Sequence, residues 1–371
     1  MRILVITKRQ YMSKDLLGDR YGRFFEIPAE LNRLGHEVRG IALSYRRRDT
    51  GCWRIEGNRG GEVAWQSRNL GFMGPLGLMA HARFLEQTIG DDLPEIVWAC
   101  SDAFHVILGH WLRARLGVPV VVDLYDNFES FGATRIPGVL PLFRRACQRV
   151  DGLSCISRPL LGKAASEYGG RHPPLLLENA IRDDYFRPMD RVVCRQALGL
   201  PKEARLIGTA GALTPDRGIE DLFTAFRILS RAYPDLRLVV AGPRRGALNL
   251  DSAAGELDLG ELPFEEVPLL LNSLDVGVVC NRESEFGRFC FPQKFYEMLA
   301  CGVPVVAANV GAMGLLLHRQ PQVLYEPRVP QSLADAIRRQ LIAPTQVPLT
   351  VPTWADQADR LSAYLERVVC A

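Results

Sequence analysis

No stretch of this 371-residue chain approaches the ~20 consecutive apolar residues that a membrane-crossing helix requires. The opening apolar run, Ile3 to Ile6, is far shorter than a signal-peptide core and reads as a first strand. The nine cysteines form no CxxC pair, which argues against a zinc or disulfide framework and for reduced thiols in a cytoplasmic protein. Six histidines without close spacing give no metal site. A formal charge of +3 is too small to point to nucleic acid. No GxGxxG follows the strands where a dinucleotide would need it, and GxxxxGK[ST] is missing, so the two commonest nucleotide-binding fingerprints fail. What remains is an ordinary globular composition, 47% hydrophobic and 23% charged, in a chain longer than a single core supports. Two domains are therefore expected.

Strand and helix patterns alternate along the chain. Arg2 to Thr7 reads as a buried strand, Phe24 to Leu34 as a helix and Val38 to Leu43 as a second strand, which makes one βαβ unit of a parallel sheet. Its first loop, Lys8 to Arg23, is long and carries Lys8, Arg9, Lys14, Arg20 and Arg23. Loops at the carboxyl ends of parallel strands face the ligand crevice, so this one is either a substrate contact or a solvated basic loop. Gly22 would let a substrate approach the backbone. Arg46-Arg47-Arg48 is either a solvated turn or a contact for anionic headgroups. Further strands are read at Glu95–Cys100, Val118–Leu124, Gly152–Ile156 and Leu175–Leu177, and the second of these, Val118–Leu124, delivers Asp126 to the carboxyl edge. A linker at Arg182–Pro188 precedes a second alternating half, with strands at Leu206–Gly211, Leu236–Ala241, Leu257–Leu262 and Val276–Cys280. A last helix is read at Trp354–Val369.

The second half holds the stronger chemistry. The stretch Asn281 to Ala308 reads as a loop, a short helix starting at Pro292 and a buried strand, with Gly302 at the helix exit. Lys294 and Glu297 lie three residues apart on one face. A cation at a helix N-terminus favours a phosphate, and a carboxylate one turn deeper can accept hydrogen bonds from vicinal ribose hydroxyls. Together they suggest a nucleotide, whereas alone they are also what a solvated surface pair looks like. The loop Gly211-Ala212-Leu213-Thr214-Pro215-Asp216-Arg217-Gly218 joins a strand to a helix with a glycine at each end and a cation just before the helix, which suits a diphosphate.

These pieces, in this order, resemble the retaining glycosyltransferases of family 4 (glycosyl transferases group 1). The resemblance runs over nearly the whole chain: G-H-E-V at Gly35–Val38, D-G-L-S-C-I-S at Asp151–Ser157, E-N-A-I-R-D-D-Y-F-R-P at Glu178–Pro188, then G-A-L-T-P-D-R-G-I, L-V-V-A-G-P, L-G-E-L-P-F-E-E-V-P and F-P-Q-K-F-Y-E-M-L-A-C-G-V-P-V-V-A. It implies an α/β protein of two Rossmann-like domains facing a cleft, the glycosyltransferase-B fold. Residues 1–186 would bind the acceptor and 187–353 the nucleotide-sugar donor, with the C-terminal helix 354–371 crossing back to the first domain.

Carried onto this sequence, the resemblance makes Glu297 the ribose ligand and Arg217 and Lys294 the diphosphate contacts. Gly211, Leu262, Phe291, Pro292 and Gln293 would complete the donor site. Asp126 would contact the donor sugar near the reacting carbon, and Arg20, Tyr21 and Gly22 the acceptor. Two departures stand out. The family often has two glutamates eight residues apart, but Phe289 occupies the earlier position, so Glu285 or Glu283 would have to substitute. Ala212 stands where an arginine is common. The implied activity is transfer of a sugar, most simply a hexose, from a UDP- or GDP-linked donor to a glycan, glycolipid or other acceptor in cell-surface glycoconjugate synthesis. No cofactor or metal would be obligatory, nucleic acid would not be a partner, and peripheral contact with the inner face of a membrane is compatible with the basic first half. The alternative is a catalytically degenerate protein of the same fold that binds a nucleotide or a partner.

Overall fold

The computed structural model describes residues 1–11, 14–71, 74–90, 92–244 and 251–371. The chain divides into two compact units, residues 1–179 with 354–371, and residues 180–353. The sequence places the seam at 186/187, and the segment 180–186 groups with the second unit.

In the first unit the strands are β1 (Arg2–Lys8), β2 (Gln10–Tyr11), β3 (Lys14–Asp15), β4 (Glu37–Ser44), β5 (Gly51–Glu56), β6 (Glu62–Asn69), β7 (Ile96–Ala99), β8 (Val120–Leu124), β9 (Gly152–Cys155) and β10 (Leu175–Leu176). The helices are α1 (Arg23–Arg33), α2 (Gly74–Ile89), α3 (Ala103–Leu116), α4 (Val139–Arg149) and α5 (Arg158–Lys163). One sheet runs in the order β10-β9-β8-β7-β1-β4-β6-β5 and is parallel except at β5–β6. Its central strands are apolar without alternation, as in the fully buried Ile96–Ala99, because helices cover both faces.

The second unit contains α6 (Arg191–Ala197), β11 (Arg205–Ala210), α7 (Ile219–Leu229), β12 (Leu236–Ala241), β13 (Glu256–Asp258), α8 (Val267–Ser273), β14 (Val276–Val279), α9 (Gln293–Ala300), β15 (Val305–Ala308), α10 (Gly311–Leu316), β16 (Leu324–Tyr325) and α11 (Pro330–Ile342). Its six strands are all parallel, in the order β13-β12-β11-β14-β15-β16. The chain then returns to the first unit through α12 (Trp354–Val369), which packs on α1; Tyr364 donates its hydroxyl to Pro173 O (3.1 Å) and accepts from Leu153 N (3.2 Å).

Three sequence readings change. The loop Lys8–Arg23 contains the antiparallel pair β2–β3, with Gln10 opposite Asp15, although residues 12 and 13 lie outside the described set. The strand read at Leu257–Leu262 is only Glu256–Asp258, because Gly260 turns the chain with φ +67°. The region between β4 and β7, left unassigned by sequence, holds β5, β6 and α2.

Candidate functional site

In the second sheet the strand order reverses at β11, which has β12 on one side and β14 on the other. Open parallel sheets bind ligands beyond the carboxyl ends of their strands at such a switch point. Two loops emerge there, Gly211–Gly218 after β11 and the one from Cys280 to Pro292 after β14. Gly211 has φ +100°, a value that favours glycine, and Gly242 packs so closely on the Gly211 carbonyl that a Cβ at 242 would overlap it. Pro215–Arg217 makes a single 3-10 turn, which sets the half-buried Arg217 guanidinium 4.1 Å from the Phe286 ring centre. Arg217 has no ion-pair partner among the described residues, so its charge is available to a ligand. Arg282 fixes this loop from the other side: it donates to Pro215 O (3.3 Å) and to Glu220 Oε2 (3.1 Å), and lies 3.5 Å from Asp221 Oδ2. Sequence reasoning missed Arg282, because its partners are some sixty positions away and no local spacing marks it.

Helix α9 supplies the other half. Pro292 sits at its N-cap with φ −69° and ψ 103°, so Lys294 falls in the first turn and Glu297 one turn deeper. Lys294 Nζ donates to Thr209 Oγ1 on β11 (3.3 Å), and a Cβ on Gly211 would lie 3.4 Å from the same ammonium. Burial lowers the Lys294 pKa, and the charge of Arg217 pushes it the same way, while Glu297 opposes. Glu297 is 8% exposed and accepts from Gln293 Nε2 (2.9 Å). Burial pushes its carboxyl up to about 7, with the Gln293 bond and the Lys294 charge holding it from going further. Gln293 Oε1 is buried without a hydrogen-bond partner. The Phe291 ring packs 4.6 Å from that of Tyr296 and is buried. Leu262 is half-buried in the loop after Gly260, whose carbonyl accepts from Gly242 N (2.7 Å). The structure thus brings Gly211, Arg217, Gln293, Lys294 and Glu297 into one cluster of two cations, a carboxylate and an unfilled amide oxygen. Glu285 lies on an exposed turn 3.7 Å from Arg288, which also binds Glu283 at 3.0 Å.

In the first unit Asp126 follows β8 and is buried, and its Oδ1 accepts from Asn127 N (3.0 Å). Arg20 is exposed in a left-handed conformation (φ 48°), Tyr21 is half-buried, and Gly22 caps α1. The room that glycine leaves at 22 is taken by the Tyr11 ring, not open to solvent. Two cations counted in the basic loop are also internal. Arg9 is buried against Asp15 (2.9 Å), and Arg23 is fully buried, donating to Asp123 Oδ1 (3.0 Å), Leu177 O (2.9 Å) and Asn179 Oδ1 (3.3 Å). No helix among the described residues is long and apolar enough to cross a membrane.

Residues 23–179 match the family described as glycosyl transferase 4-like domain, and residues 204–342 match glycosyl transferases group 1. Among curated relatives, D-inositol 3-phosphate glycosyltransferase 1 of Catenulispora acidiphila is 28% identical over 338 residues, covering 77% of each chain. The 2-deoxystreptamine glucosyltransferase of Streptomyces kanamyceticus is 25% identical over 256 residues, 64% of this chain and 65% of that one. Among solved structures, Anabaena HepE in complex with UDP-glucose superposes with a TM-score of 0.66 at 16% identity, over 100% of this chain and 98% of that one. With two family matches in chain order and two parallel-sheet domains of the glycosyltransferase-B type, this chain belongs to the group 1 glycosyl transferases.

Proposed function

We propose that the protein is a retaining, family 4 glycosyltransferase that moves a hexose from a nucleoside-diphosphate sugar to a hydroxyl of a polyhydroxylated acceptor. The observation that carries this is the switch-point cluster of the second unit, where Lys294, Arg217 and Gly211 offer a diphosphate site beside the buried Glu297. In this reading Glu297 accepts hydrogen bonds from the ribose hydroxyls, and Gln293 holds it while its own free oxygen faces a donor group of the ligand. The loop at Gly260–Leu262 lies against the base, and Phe291 and Pro292 set the start of α9. UDP is the first nucleotide to test, because UDP-glucose is the ligand named for the HepE structure; GDP is the second.

During transfer the bond from the anomeric carbon to the diphosphate oxygen breaks while the acceptor oxygen bonds to that carbon from the same face. The acceptor proton passes to the leaving phosphate oxygen. The two cations stabilise the negative charge that develops there, and no metal is obligatory in this scheme. Asp126, from the first unit, orients the sugar or the acceptor. The first unit takes the acceptor, with Arg20 and Tyr21 as contacts, and the relatives named for an inositol phosphate and an aminocyclitol support a ring rich in hydroxyls. Glycolipid or glycan synthesis at the cell surface, by a cytoplasmic enzyme in peripheral contact with the membrane, is the setting we propose.

A second reading is favoured by Glu285, which is exposed and paired with Arg288, and by Phe289 in the place of a family glutamate: a protein that binds the nucleotide without turning the donor over. Calorimetry against UDP, GDP, ADP, CMP and dTDP, followed by donor-release assays, tests both. Tight binding of one diphosphate with turnover supports the transferase. Binding without release of nucleotide, with any acceptor tried, supports the degenerate protein. No binding at all removes the donor site.

A further inference from the structure

The first sheet has its own switch point, between β1 and β7. Lys8 ends β1 there, and its backbone N–H donates to Ser101 Oγ (2.8 Å) just beyond β7. Ser101 is held at φ +91°, outside the regions a non-glycine residue normally occupies, a strain that ordinary loops avoid. Next to it Asp102 caps α3 by accepting from His105 N (3.1 Å). Capping needs one carboxylate oxygen and no more. Asp102 has further partners: His105 Nδ1 at 2.9 Å on Oδ1, and the Tyr45 hydroxyl at 2.8 Å on Oδ2. It is 6% exposed; burial alone would raise its pKa, but His105, Lys8 and the Tyr45 hydrogen bond together hold the carboxyl well below the usual range.

Lys8 differs from the neighbouring arginines. Arg9 is committed to the half-buried Asp15 and Arg23 to the fully buried Asp123, whereas the half-buried Lys8 ammonium has no ion-pair partner among the described residues and reaches only the Tyr125 hydroxyl (3.3 Å). Tyr125 in turn feels the charges of both Asp126 and Asp102. An ammonium donates only, a carboxylate accepts only and a phenol does either, so the group combines donors and acceptors at one sheet edge. That pattern matches adjacent hydroxyls of a sugar or cyclitol. A phosphate would have to lie beside two carboxylates, which disfavours it.

We propose that Lys8, Asp102 and the Tyr125 hydroxyl form a subsite for vicinal hydroxyls of a neutral polyol, with Tyr45 and His105 as positioning residues that fix the Asp102 carboxylate. The subsite deepens the transferase reading by naming the acceptor chemistry, and it rests on that reading for its part in catalysis. The test is saturation-transfer NMR on the full chain with two probes, myo-inositol and methyl α-D-glucopyranoside, alongside calorimetry with UDP. The wild type gives ring-proton signals with both probes. Lys8→Met, and Asp102→Asn, which still caps the helix, weaken polyol binding about tenfold or more while UDP affinity stays that of the wild type. His105→Asn, which keeps an N–H donor for Asp102, retains the signals that His105→Leu loses, and Tyr45→Phe falls between. Wild-type signals in both Lys8→Met and Asp102→Asn overturn the proposal, as does a wild type that binds neither polyol. Polyol binding without affinity for any nucleoside diphosphate would sink the donor-site reading alone.

Discussion

Glu297 lies in the second unit beside a lysine whose own charge is disfavoured by burial, and the two set the pH behaviour of the site. In the unfolded chain the carboxyl returns to its ordinary 4.5, so between there and about 7 the folded protein holds a proton that the unfolded chain releases. Stability of the ligand-free protein therefore falls as pH rises through that window, by at most about 3 kcal/mol. Melting temperatures of the wild type and Glu297→Gln across that window check this: the wild type is expected to lose stability toward the upper end and the variant to stay flat. Nucleotide binding has the opposite sense, because ribose hydroxyls donate best to the ionised form. Affinity for the cognate diphosphate is expected to rise with pH through about 7 in the wild type and not in Glu297→Gln. Arg217, half-buried and stacked on Phe286 with no ion pair among the described residues, contributes little to folding. Arg217→Ala is expected to melt like the wild type and to bind the diphosphate about ten- to a hundredfold more weakly by calorimetry, the scale of a lost charged hydrogen bond.

At the scale of elements, Gly40 on β4 is paired in register with Trp65 on β6, and the indole lies where a Cβ at position 40 would be. Trp65 is almost fully buried and has no room to withdraw. Gly40→Ala is expected to cost about 1–3 kcal/mol, read as a lower denaturant midpoint, by overpacking a dense core. Helix α9 shows how far local sequence reaches. Its end before Gly302 and the shared face of Lys294 and Glu297 are consequences of spacing within one helix and were legible, and its start was legible to within one residue, since Pro292 caps the helix and Gln293 opens it. Arg282 was not, nor the burial of Arg9 and Arg23. A lone arginine in a loop carries the same local signal whether it faces water or a carboxylate from a distant strand.

At the scale of the whole molecule, α12 is the segment that ties the end of the chain to its beginning. Leu361 is fully buried in it, His36 Nε2 meets Ser362 Oγ at 2.7 Å, and Tyr364 bridges Pro173 and Leu153. Leu361→Ala is expected to destabilise the first unit by about 2–5 kcal/mol. Differential scanning calorimetry should then show one transition moved to lower temperature and the nucleotide-dependent transition of the second unit left in place.

Sequence by itself determined the parallel α/β architecture, the repetition of that pattern in two halves and the helix with its phosphate-loop partner, since each rests on apolar period, glycine and proline placement or cap chemistry within a few residues. Only the tertiary structure decided which charges are available. Parallel sheet order brought Lys294 to Thr209 and Lys8 to Ser101 across 85 and 93 positions, and buried Arg23 on Asp123 across 100. The physical reason is that a charged group is either solvated, paired or free to bind according to what long-range packing puts beside it, and no local spacing encodes that neighbour.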